Sequence, residues 1–163
     1  MSKTLWAPWR MEYILSEKTG ECILCLDKKR TKDKNRLVLY RGAYSFALLN
    51  RYPYNNGHLM VAPLAHIANI EDLTSEASLE MFTLLQESIK ILRTCLKADG
   101  FNVGINIGSV GGAGVEDHLH IHVVPRWNGD TNFMAVFNDV RIMPEYLEDS
   151  YSKLYPYFNN LKI

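Results

Sequence analysis

Three of the chain's five histidines stand on every second residue of one short run, Asp117-His118-Leu119-His120-Ile121-His122-Val123-Val124-Pro125-Arg126-Trp127. On an extended strand, residues two apart face the same way, about 6.5–7 Å from one to the next. His118, His120 and His122 therefore form a row, while Leu119, Ile121 and Val123 point to the opposite, core side. Imidazole is a nucleophile, a proton carrier near neutral pH and a metal ligand. A row of three suits a metal site or the handling of an anionic group. A solvated strand face accounts for one histidine well and for three in register poorly.

Two other groupings could do chemistry. The loop before the row carries Gly108, Gly111, Gly112 and Gly114, which leave backbone N–H groups free to approach an anion. It leads into a strand, and no Gly-Lys-Ser/Thr is present, so neither a P-loop nor a Rossmann turn is supported. Glu21-Cys22-Ile23-Leu24-Cys25 contains a Cys-x-x-Cys, which is a metal half-site, a redox pair or a coincidence of spacing. A thioredoxin-like reading expects a strand before it and a helix after it, and neither is evident. Zinc needs two further ligands; otherwise the pair is empty, beside a His66 that caps a helix.

These residues need elements to position them. Arg36 to Arg41 and Tyr44 to Leu49 read as strands joined through Gly42, and turn-forming Tyr52 to Gly57 leads to a third strand, His58 to Ala62, closed by Pro63. Lys28 to Arg36 reads as a charged, solvated stretch. The long helix spans about Thr74 to Lys97, with Thr74 or Ser75 as cap and Gly100 beyond its end. Leu79, Phe82, Leu85, Ile89, Leu92 and Leu96 recur at three- and four-residue steps as its apolar stripe, with Cys95 at the edge. Phe101, Val103, Ile105 and Ile107 alternate with polar or small residues as a strand with one apolar face. Pro144 starts a last helix through Leu147, Tyr151 and Leu154, which Pro156 kinks or ends. Strands before and after one long helix predict an α+β domain with an antiparallel sheet. No repeat or linker divides the 163 residues, so residues 1–163 form one domain, with an N-terminal arm (1–35) and a C-terminal extension (128–163).

Eighteen basic and 18 acidic residues balance, which argues against nucleic acid or an anionic membrane as the main partner. No segment is long and apolar enough to span a bilayer and no leader is evident, so a cytoplasmic protein is expected. Three cysteines are too few, and odd in number, for a disulfide framework.

The run His118-Leu119-His120-Ile121-His122-Val123-Val124 resembles the signature of the histidine triad (HIT) family, in which three histidines alternate with apolar residues. The likeness extends to Ser45 through Arg51 and to Asn55-Asn56-Gly57-His58-Leu59-Met60-Val61-Ala62-Pro63. It implies a HIT-like fold of about five strands, a homodimer with sheets joined across the interface, and an enzyme that cleaves at the α-phosphate of dinucleoside polyphosphates or AMP esters. Carried over by position, His120 is the nucleophile, and His122 and His58 lie near the phosphates. Asn106 donates to phosphate and Asn50 contacts the ribose, and Gly112 and Gly114, through the anion-approaching loop they stand in, join the substrate-binding residues. The zinc-bearing branch of the family implies a structural zinc on Cys22, Cys25, His66 and His118. Trp6 to Met11 and Pro125 to Met134 are similar to a subgroup that includes diadenosine tetraphosphate phosphorylases, so the acceptor is water or inorganic phosphate. A rival from another class is a nucleotide-binding or zinc-stapled interaction protein with little turnover. Trp6, Trp9 and Trp127 could stack on a base, though core or interface is their commoner use.

Overall fold

The computed structural model describes residues 22–130 and 143–163. Trp6, Trp9 and the segment Thr131 to Met134 therefore lie outside the described residues. Five strands, β1 (Val38–Arg41), β2 (Ser45–Leu49), β3 (Leu59–Pro63), β4 (Gly100–Ile105) and β5 (Ile121–Arg126), form one sheet in the order β1-β2-β3-β5-β4. All four pairings are antiparallel. Helix α1 (Ser75–Leu96) lies between β3 and β4 in the chain, and α2 (Leu147–Asn159) closes it.

Both helices pack on one face, against Leu39, Ala47, Leu49, Leu59, Val61, Ile121 and Val123. The other face carries Val38, Phe46, Leu48, Met60 and Ala62, and Leu24 of the N-terminal arm seals it. Every residue of β2 and β3 is buried, which is why both read as continuous apolar runs rather than alternating ones. The histidines share the arm-covered face, because Met60 pairs with His122 and Val61 with Ile121.

Helix α1 begins as expected: the Thr74 hydroxyl oxygen accepts from the Ala77 N–H. It stops at Lys97, which adopts the left-handed region (φ 54°) ahead of Gly100. Its buried stripe differs from the expected one. Ala77, Met81, Leu84, Leu85, Ser88, Ile91 and Leu92 face the sheet, whereas Leu79 and Phe82 are 71% and 63% exposed. Two apolar rows run along this helix, and three- and four-residue steps cross between them. The C-terminal helix also departs from expectation, because Pro156 lies inside α2 and Phe158 beyond it is fully buried. The apolar anchors Tyr151, Leu154 and Phe158 hold the last turn in place despite the lost N–H.

Candidate functional site

The arm after Cys22 turns tightly, with the Cys25 N–H donating to Cys22 O. Arg36 then folds back over it: Nη1 donates to Cys25 O at 2.7 Å and Nη2 to Ile23 O. Arg36 thus anchors the arm instead of opening β1. This brings both thiols to two histidines from distant segments. Cys22 Sγ lies 3.4 Å from His118 Nδ1, Cys25 Sγ 3.3 Å from His66 Nδ1 and 3.8 Å from His118 Nδ1. All four donor atoms lie within 4.8 Å of one another. Zinc bonds near 2.3 Å to sulfur and 2.0–2.1 Å to nitrogen place tetrahedral S and N donors about 3.5 Å apart. The donor set and its spacing therefore fit zinc.

The protonation pattern fits too. His118 Nε2–H donates to Pro63 O at 2.8 Å, which leaves the Nδ1 lone pair facing the thiols. Burial, then the neighbouring Cys22, raise the Cys25 thiol above its ordinary value, with the Arg36 guanidinium opposing. His66 caps no helix; it joins this cluster.

On the same face, a cavity of about 410 Å³ is lined by Ile23, Leu24, Arg36, Leu48, Leu49, Asn50, Arg51, Tyr52, Tyr54, Met60, Gly114, Val115, His120 and His122. It is polar at the histidines and apolar at the arm, as small-molecule sites are. His120 precedes β5, is nearly buried, and its Nδ1–H donates to His118 O at 2.8 Å. That bond leaves the Nε2 lone pair unprotonated. Burial lowers the His120 pKa, opposed by the His118 carbonyl, so the ring stays neutral and nucleophilic at neutral pH.

A second chain of bonds gives His122 the opposite tautomer. The Tyr54 backbone N–H donates to His58 Nδ1 at 3.0 Å. His58 Nε2–H must then donate to His122 Nδ1, also at 3.0 Å, and the His122 proton resides on Nε2. The Tyr54 ring stacks on His58 at 4.8 Å between centroids. Burial, then the neighbouring His122, lower the His58 pKa to about 3. His58 is fully buried and does not line the cavity, so it reaches any phosphate only through His122.

The remaining expected residues divide. Asn50 lines the cavity while its Oδ1 accepts from the Tyr52 N–H at 2.9 Å, so it both faces the cleft and makes a turn. Gly114 lines the cavity and Gly112 does not. Gly112 holds φ 84°, and its carbonyl accepts from Asn106 Nδ2 at 3.2 Å. Two N–H groups of this loop are used internally, Gly112 to Ser109 O and Ala113 to Gly108 O, so it is less open to an anion than its glycines suggest. Trp127 donates through Nε1 to Leu96 O at 3.0 Å and serves the end of α1.

Sequence reading missed Tyr54, Arg36 and Ile23. Tyr54 looked like part of a turn, and Arg36 like the start of a strand. A related clamp holds the Tyr52–Gly57 turn: Asn55 Nδ2 donates to Asp130 at 3.0 Å, and Arg126 grips both oxygens of that carboxylate. At Gly57 (φ 69°) a Cβ would meet Leu96 Cδ1 at 2.4 Å, so the turn before His58 requires glycine.

A model of the family described as "HIT domain" matches residues 31–129. A protein named AP-4-A phosphorylase from Mycobacterium tuberculosis is 36% identical over 154 residues, spanning 90% of this chain and 79% of that protein. A bis(5'-adenosyl)-triphosphatase from Saccharomyces cerevisiae is 37% identical over 91 residues, spanning 55% of this chain and 44% of that protein. Among solved structures, a zinc-bound histidine triad family protein from Mycobacterium smegmatis superposes with a TM-score of 0.62 at 30% identity, over 76% of this chain and 84% of that one.

Proposed function

This chain belongs to the HIT family, and we propose that, as an enzyme of that family, it transfers the nucleotidyl group of a dinucleoside polyphosphate through His120. The observation that carries the reading is the pair of opposed tautomers in one cleft. The His120 Nε2 lone pair attacks the α-phosphorus, a P–N bond forms, and the P–O bond to the leaving polyphosphate breaks with its electron pair on oxygen. His118 O holds the Nδ1 proton as the ring becomes cationic. His122, kept as the Nε2–H tautomer by His58, donates to the charge that builds on phosphate oxygens. Asn50, at the cleft wall, is suited to the ribose; Asn106, Gly112 and Gly114 shape the phosphate end.

The acceptor then attacks the same phosphorus and returns the pair of electrons to Nε2. Inorganic phosphate is favoured as acceptor by the extent of the match to the M. tuberculosis phosphorylase, with water the alternative. Diadenosine tetraphosphate incubated with and without phosphate tests this. ADP plus ATP only with phosphate selects phosphorolysis, and AMP plus ATP regardless of phosphate selects hydrolysis. No cleavage of any adenylate substrate would remove the enzymatic reading in favour of a nucleotide-binding protein.

Zinc on Cys22, Cys25, His66 and His118 is structural in this proposal, because four protein ligands leave no open position. A homodimer joined along β4 is also proposed, as is a cytoplasmic location. Among the described residues no helix is long and apolar enough to cross a membrane.

A further inference from the structure

At the β1 edge of the sheet a second cavity, of about 660 Å³, opens between the Arg30–Lys34 segment, β1 and α2. Among the described residues it shares no lining with the histidine cleft, and its volume lies in the range of small-molecule sites. Three cations, Arg30, Lys34 and Arg41, face it with one carboxylate, Asp33. Asp33 is already paired with Arg41. Arg30 and Lys34 are exposed and, among the described residues, take part in no salt bridge.

Arg41 supplies an independent sign of an absent partner. Its side chain is 7% exposed; Nη1 donates to Asp27 O at 2.6 Å and Nη2 to Asp33. Its Nε–H is buried with no acceptor among the described residues. A buried guanidinium donor left unpaired is costly and correspondingly rare. On the helix side of the cavity, the Tyr151 and Tyr155 rings stack at 5.3 Å and 24°, and Tyr155 remains partly exposed. Two unpaired cations call for a multiply charged anion, for which arginine forks are well suited. A half-open tyrosine face suits a planar ring in an offset stack.

We propose that this cavity is a second binding site for a phosphorylated small molecule bearing a planar ring, of mononucleotide size. The phosphate meets Arg30 and Lys34, and the ring lies on Tyr155. Arg41 lines the same cavity and is the third cationic neighbour of the proposed ligand.

The test uses the full chain with ADP and, separately, inorganic phosphate as probes, read by NMR of tyrosine and histidine rings. ADP shifts the Tyr151 and Tyr155 resonances in a titration distinct from that of His120 and His122, and phosphate competes with it. In an Arg30→Ala, Lys34→Ala variant, whose folding is checked by its melting curve, the tyrosine titration weakens about tenfold or more while the histidine titration is unchanged. Tyr155→Leu weakens ADP at this site and spares phosphate competition at Arg30 and Lys34. The proposal is overturned if millimolar ADP leaves both tyrosines unshifted, or if they titrate identically in the double variant. Failure at the histidines alone would instead count against the catalytic reading.

Discussion

His120 and His122 are two residues apart, yet their neighbours give them opposite proton arrangements. His120 keeps a bare Nε2 because His118 O holds its other proton, and His122 keeps its proton on Nε2 because His58 donates to Nδ1. Replacement of His120 by Ala therefore removes the proposed attacking atom, and turnover of diadenosine tetraphosphate should fall by about three orders of magnitude or more. A rapid-quench experiment should lose the acid-labile nucleotidyl adduct at the same time; retained turnover would refute the assignment. His58 offers a separate test through pH. Its folded pKa of about 3 lies below the ordinary 6.5, so as pH falls below 6.5 the unfolded chain takes a proton that the folded chain refuses. Stability is thus lost between pH 6.5 and about 3, by up to roughly 1.4 kcal/mol per pH unit for this group. Denaturant melts at pH 6, 5 and 4 should show this slope in the wild type and a shallower one in His58→Gln. The alternation of the triad was legible because period two fixes which face a residue takes. The burial of His58 was not, since depth depends on what the turn before it packs against, here Tyr54 and Leu96.

Among the elements, the arm shows how far sequence spacing reaches. Cys-x-x-Cys marked a candidate ligand pair, but its place on the sheet depends on Arg36 gripping Ile23 O and Cys25 O and on Leu24 filling a fully buried position. Neither long-range contact leaves a periodic trace. The same arm supplies Ile23 and Leu24 to the wall of the histidine cleft, so loosening it should have two effects. A Cys22→Ser, Cys25→Ser variant should lose near-stoichiometric zinc by metal analysis and melt at a lower temperature, since metal binding energy in such sites is folding energy. Its KM should rise more than its kcat falls, because His120 stays on β5's flank while the wall disperses. Zinc retained undiminished in the double variant would refute the ligand set. For α1 the ends were legible through the Thr74 cap and the buried stripe was not. Leu79 and Phe82 satisfy helical spacing as well as Met81 and Leu84 do, and only the sheet distinguishes the rows.

At the scale of the whole molecule, that second row points to a partner. Among the described residues β4 is an edge strand, so half of its backbone N–H and C=O groups have no ladder there, a condition proteins cover or pair. Val103 on β4 and Ile107 just beyond it, both on the expected apolar face, are each 45% exposed. Leu79 and Phe82 of α1 lie exposed as well. Phe82, Ile89 and Arg93 follow one another at helical spacing, and the Arg93 guanidinium lies 5.4 Å from the Phe101 ring of β4, so the helix row and the edge strand adjoin. A second copy placed β4 against β4 by a two-fold axis would satisfy both, joining two five-stranded sheets and covering the helix rows in a self-complementary contact. Sedimentation should then give about twice the 18.7 kDa chain mass. A charge at the centre of that face, Phe82→Glu, should shift the equilibrium to the monomer, since an unpaired buried carboxylate costs several kcal/mol in such a contact. Because Phe82 is exposed within one chain, the variant should keep the helical content of the wild type. Gly104 on β4 pairs with His122, so an unsupported edge would loosen the strand beside the cleft, and the monomeric variant should also lose catalytic efficiency. A wild-type chain that sediments as a monomer at micromolar concentration, or a Phe82→Glu chain that remains dimeric, would exclude this interface.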